Sequence, residues 1–309
     1  MRSIVVALLF ALVGAHGADG QEPVERGAGQ LLIDAVAFDR QGMPVTDLRR
    51  EELEVWLRGF RLPFESFTPV SSADGRGRMV VLILDDVMLP AELAPRAREA
   101  AQRFVNRLSP GDRMAVVTLN GSVMEATDDR QRLLRAINSY NALGSTGTWR
   151  IDTLGAHVLK TISTLAHHIG EAPYGRKVIV GIGAGWVFDT PIPASVVGGD
   201  LRPEWIDAMR AMAAANASLY VIEPGGVGVA PFAGGGTSGF ARESGGHAFM
   251  NTNDLTGAAD RIMREAANYY LITVADPPIQ RNAPLRDLEV KSLREGVTVR
   301  ARRAVQGRR

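Results

Sequence analysis

Four mostly apolar runs of strand length constrain the fold of this chain more than any other feature. They occupy residues 79–84, 114–119, 177–182 and 218–222. Residues 79–84 form a continuous apolar run, and none of the four runs alternates between apolar and polar residues. Such runs are typical of parallel strands that are covered on both faces, because a strand with one solvated face alternates instead. Repeated β/α units of this length predict an α/β fold with a doubly wound, mostly parallel sheet and right-handed crossovers.

Helices are predicted between these strands because apolar residues recur there at a spacing of three and four. The first is expected over residues 90–108, and Pro203 suits the first turn of a later one. Short polar side chains accept hydrogen bonds from the free N–H groups at a helix start. Thr127 or Asp128 is therefore expected to cap a second helix, and Thr252 or Asn253 the last one.

Shorter alternating strands flank the β/α units on both sides. Strands are predicted at residues 31–38, 53–57 and 62–67 before the units, and at 269–274, 287–291 and 296–302 after them. Each group alone buries little, so we expect the two groups to pack together. The predicted organisation is an α/β domain over residues 76–266, inserted between β segments at 30–70 and 267–305.

The first residues are typical of an export signal. Arg2 precedes an apolar core, and small residues near Gly17 suit cleavage, so residues 1–17 are predicted to be a signal peptide and 18–29 a flexible lead-in. No later run is apolar enough to span a bilayer. The absence of cysteine excludes disulfides and thiolate catalysis, and a net charge of +1 gives no reason to expect nucleic-acid binding. The prediction is a periplasmic or secreted protein.

Four ordered segments carry a resemblance to a known family. They are residues 39–48 (DRQGMPVTDL), 51–55 (EELEV), 108–117 (LSPGDRMAVV) and 240–249 (FARESGGHAF), followed by the closing strands. In this order they resemble the acidobacterial-type von Willebrand factor A-related proteins. The resemblance implies an exported bacterial protein with a von Willebrand A-like, Rossmann-like domain, which usually binds partners through a metal ion and is not a catalyst.

The resemblance also implies where such a metal would bind. In these domains the ion lies above the carboxyl ends of the parallel strands, the usual ligand position of an open α/β sheet. The family pattern is Asp-x-Ser-x-Ser after the first strand, with a Thr in one later loop and an Asp in another. A hard divalent cation prefers six oxygen ligands, and a carboxylate from the partner protein completes the set.

This chain departs from that pattern at three positions. Asp85 keeps the leading carboxylate, but Val87 and Leu89 stand at the two serine positions and Ala184 at the later Asp. Thr148 matches the threonine. Asp85, Asp86 and Thr148 are therefore the candidate metal ligands, for Mg²⁺ or Mn²⁺ bound weakly, while the expected state is a degenerate site without a cofactor.

Apolar residues in the loops at the same edge are candidates for contact with another protein. Trp186 and Phe188 follow the strand at residues 177–182, and Phe232 lies in a glycine-rich stretch at 223–237. Exposed apolar side chains of this kind mark interaction sites. The alternatives are that Trp186 and Phe188 fold back as a local cover and that the glycine-rich stretch is disordered.

The sequence thus favours an exported, non-enzymatic protein-binding module of the adhesion or scaffold type. The first alternative is a residual metal-dependent adhesion site. The second is a hydrolase with a dispersed Ser/His/Asp set, because triads do not follow a fixed sequence order.

Overall fold

Three β-sheets and six α-helices make up the part of the chain that the computed structural model describes, residues 30–71, 77–144, 151–186, 200–228, 236–275 and 288–303. The strands are β1 (Gln30–Phe38), β2 (Leu53–Leu57), β3 (Phe60–Leu62), β4 (Phe64–Ser71), β5 (Met79–Leu84), β6 (Arg113–Thr118), β7 (Val123–Thr127), β8 (Lys177–Ile182), β9 (Ala217–Ile222), β10 (Ala248–Phe249), β11 (Asn268–Ala275), β12 (Leu288–Ser292) and β13 (Thr298–Ala301). The helices are α1 (Ala94–Asn106), α2 (Arg130–Ser139), α3 (Ile151–Gly170), α4 (Arg202–Ala215), α5 (Gly236–Glu243) and α6 (Leu255–Ala267).

The central sheet has six strands in the order β10-β9-β8-β5-β6-β7. All neighbours are parallel except β6 and β7, which form an antiparallel hairpin at one edge. Every residue of β5, β8 and β9 is buried, as expected for parallel strands covered on both faces. The prediction of an α/β fold with a mostly parallel sheet is confirmed.

Helices cover both faces of this sheet. One face packs against α3 and α4, through side chains such as Val158 and Met212, and the other against α1, α2 and α6, through Phe104, Ile137 and Ile262. Both predictions of a helix cap are wrong, because the observed capping residue follows the predicted ones in the sequence. Asp129 caps α2 and Asp254 caps α6, because their carboxylates accept hydrogen bonds from the backbone N–H groups of the first turn.

The remaining strands form two antiparallel sheets that pack face to face. One has the order β13-β1-β11-β4 and the other β12-β2-β3. Between them lies a separate apolar core with residues from both sheets, including Ile33, Val55, Ile272 and Val290. Both sheets contain strands from before and from after the β/α units. The two flanking strand groups therefore build one β-sandwich.

The sandwich lies against the amino ends of the central strands. Arg176, directly before β8, approaches Asp34 of β1 with a distance of 3.1 Å between Nε and Oδ2. Arg302, directly after β13, donates hydrogen bonds to the carbonyl oxygens of Ala213 and Ala217 near the start of β9. These contacts leave the opposite, carboxyl edge of the central sheet for the site described below.

Among the described residues, no helix is both long and apolar enough to cross a membrane. The predicted signal peptide and lead-in, residues 1–17 and 18–29, lie outside the described part of the chain.

Candidate functional site

Three central strands end side by side at the carboxyl edge of the sheet. Asp85 follows β5, Gly183 follows β8 and Glu223 follows β9. The ladder continues one residue beyond each strand, because the Asp85 amide donates to the Ile182 carbonyl at 3.0 Å and the Gly183 amide to the Ile222 carbonyl at 3.1 Å. Asp85 is therefore fixed at the centre of this edge, where the resemblance places the metal.

Protein N–H groups already bind both oxygens of the Asp85 carboxylate. Oδ1 accepts from the backbone amides of Val87, at 3.2 Å, and Met88, at 2.8 Å. Oδ2 accepts from the indole Nε1 of Trp186 at 3.3 Å. The side chain is fully buried. This Asp85 carboxylate thus acts as an internal acceptor that closes the turn after β5.

Burial also changes the acidity of this group. It raises the pKa of the Asp85 carboxyl above its ordinary value, against the opposing effect of the hydrogen bonds from Met88, Val87 and Trp186. The Tyr140 hydroxyl donates to the Asp85 carbonyl oxygen at 2.6 Å. Burial raises the pKa of Tyr140 as well, and the charges of Asp85 and Asp86 raise it further, so the phenol stays a donor.

Trp186 is a buried side chain, with 1% of its surface exposed. Its ring lies directly on the backbone of Gly181, where an added Cβ would come within 2.0 Å of the indole Cη2. Its backbone is held by Thr237, whose hydroxyl accepts from the Trp186 amide at 2.8 Å and donates to the Trp186 carbonyl at 2.5 Å. The prediction of Trp186 as an exposed partner contact is therefore wrong, and the alternative of a local cover describes its position.

The residues around Asp85 do not fit a divalent cation. Val87 and Leu89 occupy the two serine positions with buried apolar side chains, which offer no oxygen. The described residues contain no group of three or more His, Cys, Asp or Glu side chains placed to hold an ion. Of the other predicted site residues, Thr148, Phe188 and Phe232 lie outside the described part of the chain.

Asp86 faces a different direction from Asp85. Its Oδ1 accepts from the Asn120 amide at 3.0 Å, and its side chain lines a cleft of about 410 Å³ between β6, β7 and α2. The two adjacent carboxylates are thus not a pair that shares one ion. Asp85 lies in the interior, and Asp86 borders an open cleft.

Sequence reasoning missed two residues of this edge, Tyr140 and Thr237. Both contact it through the fold, since Tyr140 is 55 residues from Asp85 and Thr237 is 51 residues from Trp186. No local motif marks either one. The one sequence feature that indicates close packing at this edge is Gly181, because a glycine inside a buried strand often marks the close approach of another group.

Comparison with known proteins gives distant structural likenesses. No family model matches the sequence, and no curated protein matches it significantly. A point mutant of the PilB minor pilin from Streptococcus sanguinis is 11% identical, with 61% of each chain covered and a TM-score of 0.42. Unmutated PilB is 9% identical, with 62% of each chain covered and a TM-score of 0.39. The pilus adhesin RrgA from Streptococcus pneumoniae is 14% identical over 42% of this chain and 24% of its own, with a TM-score of 0.27.

The chain therefore spans less than two thirds of the length of each of these solved structures. They are a minor pilin and a pilus adhesin, and at these TM-scores they carry no conclusion about this chain.

Proposed function

We propose that this chain is an exported, non-enzymatic protein-binding module of von Willebrand A type that recognises its partner without a metal ion. The observation that carries the proposal is the hydrogen bonding of Asp85. Both carboxylate oxygens accept from protein N–H groups inside the fold. The residue that would begin the metal site is used instead to hold the carboxyl edge together.

The arrangement of the central sheet supports the von Willebrand A-type assignment. The two middle strands of the order β10-β9-β8-β5-β6-β7 are β8 and β5. Asp85 directly follows β5. A ligand site of an open α/β sheet lies outside the carboxyl ends of such central strands. The resemblance of four ordered sequence segments to von Willebrand A-related proteins points to the same edge.

The position of the β-sandwich supports binding at that edge. The sandwich contacts the amino ends of the strands through Asp34, Arg176 and Arg302, so its packing does not compete with a partner at the carboxyl edge. Loops at this edge also present an exposed apolar side chain, Leu143, with 62% of its surface exposed. Exposed apolar side chains beside polar ones are common in protein interfaces.

A residual metal-dependent adhesion site, using Asp85, Asp86 and Thr148, is the competing proposal. It would require the Asp85 carboxylate to give up its hydrogen bonds from Val87, Met88 and Trp186. An ion at Asp85 would also lack the two serine hydroxyls of the family pattern. A hydrolase has less support, because His157 Nε2 lies 2.7 Å from the Leu119 carbonyl oxygen and His167 Nδ1 lies 2.7 Å from the Ser163 carbonyl oxygen, so these two ring nitrogens are used within the fold.

Affinity capture from the periplasmic or secreted fraction tests the proposal. We expect the purified protein to capture the same partner in EDTA and in excess Mg²⁺, because no step of recognition uses a cation. Leu143→Glu should reduce capture at least tenfold by placing a charge on the carboxyl edge, a loss of about 1.4 kcal/mol or more.

The matched control is Leu293→Glu, which adds the same charge at an exposed position of the sandwich. It should capture as well as the unchanged protein. Capture that needs Mg²⁺ would support the competing metal-dependent site, and equal loss in both variants would remove the carboxyl edge as the binding surface.

A further inference from the structure

The cleft beside Asp86 combines a carboxylate with an apolar wall. Met124 and Val123 of β7 line one side, and Leu143 lines the rim. Ser122 and Ser139 also line it. Its volume of about 410 Å³ lies within the range of small-ligand pockets. The cleft is large enough for one long side chain of a partner protein.

Asp86 supplies the charge of this cleft. Only 8% of the residue is exposed, and Oδ1 is used by the Asn120 amide. No hydrogen bond to Oδ2 is found from the described residues. A carboxylate held by one backbone donor, with its second oxygen on a partly buried cleft, binds a cation more strongly than one in open water, because screening by solvent is weaker there.

Arg98, whose charge acts on the neighbouring Tyr140, is already engaged. Arg98 donates from Nη1 to the Tyr140 carbonyl oxygen at 2.9 Å, and the Tyr140 hydroxyl donates to the Asp85 carbonyl oxygen. Neither contact is with the Asp86 carboxylate. The charge of Asp86 is therefore left for a group that comes from outside the described chain.

A second cleft, of about 460 Å³, lies on the β-sandwich but lacks such a group. Arg61 pairs there with Glu54 at 3.4 Å, and Arg50 donates to the Phe64 carbonyl at 2.5 Å. Its remaining charged side chain, Glu51, is exposed to solvent and not buried like Asp86. The comparison favours the Asp86 cleft as the place where a charged ligand binds.

We propose that the Asp86 cleft binds a lysine or arginine side chain of the partner protein. The alkyl part would lie along Met124, Val123 and Leu143, and the cationic head would reach Asp86 Oδ2. This inference rests on the proposed function and names the chemistry of the partner. It reverses the charge that a metal-dependent site selects, because there the partner supplies a carboxylate to the ion.

The test uses three small probes and the purified protein. N-acetyl-arginine N-methylamide and N-acetyl-lysine N-methylamide carry the cationic head, and N-acetyl-norleucine N-methylamide carries the alkyl chain without a charge. Each is titrated to about 10 mM, since a single side chain is expected to bind with a millimolar dissociation constant. Binding is followed by the backbone amide NMR signals of Asn120, Ser122 and Leu143.

We expect both cationic probes to shift these signals with saturation, and norleucine to shift them at least tenfold more weakly. Asp86→Asn should weaken the cationic probes tenfold or more, while it keeps the acceptor for the Asn120 amide and hence the fold. Asp207→Asn removes the same charge from an exposed position of α4 and should change nothing.

Equal binding of norleucine, no saturable shift with any probe, or unchanged binding in Asp86→Asn would overturn the inference. Partner capture separates this failure from that of the proposed function. If Leu143→Glu abolishes capture while Asp86→Asn leaves it intact, the carboxyl edge binds the partner, but not through a basic side chain.

Discussion

Trp186→Ala is expected to lower the free energy of unfolding by about 3–5 kcal/mol, the range for removing a buried tryptophan from a core. The ring is 1% exposed and lies on the Gly181 backbone, so its loss leaves a cavity that the rigid sheet cannot close. It also removes the donor to Asp85 Oδ2. Urea denaturation followed by circular dichroism measures the change.

Two further variants separate the packing of Trp186 from its hydrogen bond. Trp186→Phe keeps most of the ring and removes the N–H group, so its loss should be smaller than that of Trp186→Ala. Phe60→Ala is the matched control, because Phe60 is a large aromatic residue with 75% of its surface exposed. It should change stability by no more than about 0.5 kcal/mol. A Trp186→Ala protein as stable as this control would show that Trp186 is exposed in solution.

Arg176→Met, made in the otherwise unchanged protein, is expected to lower the free energy of unfolding by about 3–5 kcal/mol. It breaks a buried ion pair and leaves the charge of Asp34 behind. Arg176 and Asp34 have side chains that are 1% and 3% exposed. Arg176 Nη2 also donates to the Tyr220 hydroxyl at 3.1 Å and to the Gly245 carbonyl at 3.3 Å. The pair joins the β-sandwich to the central sheet.

The double variant Asp34→Leu with Arg176→Met gives the matched comparison. It replaces both charges with apolar side chains, which is often close to neutral for a buried pair. Arg302 loses its 3.9 Å contact with Asp34 in this variant but keeps its hydrogen bonds to the Ala213 and Ala217 carbonyl oxygens. We expect it to recover much of the stability that either single change loses. Additive losses in the double-mutant cycle would mean that the two residues do not interact across this interface.

The central sheet could be predicted because its strands are mostly apolar and do not alternate, and β5 and β8 begin and end at the expected residues. The edge strand β7 could not, since all its residues are half-exposed and give neither an apolar run nor a clean alternation. The predicted strand at residues 62–67 is two strands. Pro63 separates β3 from β4, which lie in different sheets, because a proline has no N–H group for a ladder.

The candidate site was predictable in its position but not in its contacts. Asp85 lies at the expected strand end, because the carboxyl ends of parallel strands share one edge. The hydrogen bond that Trp186 donates to the Asp85 side chain could not be predicted. Trp186 is 101 residues away in the sequence, and its apolar character is equally compatible with an exposed surface and with a buried cover. Long-range packing decided between these alternatives.

Isothermal titration of the purified protein with Mn²⁺ and Mg²⁺ tests most directly whether Asp85 is an internal acceptor or a metal ligand. The expected result is no stoichiometric binding, with the same heats for the unchanged protein and for Asp85→Asn, which keeps one oxygen acceptor at the same position. Saturable binding of one ion per chain that disappears in Asp85→Asn would contradict the account.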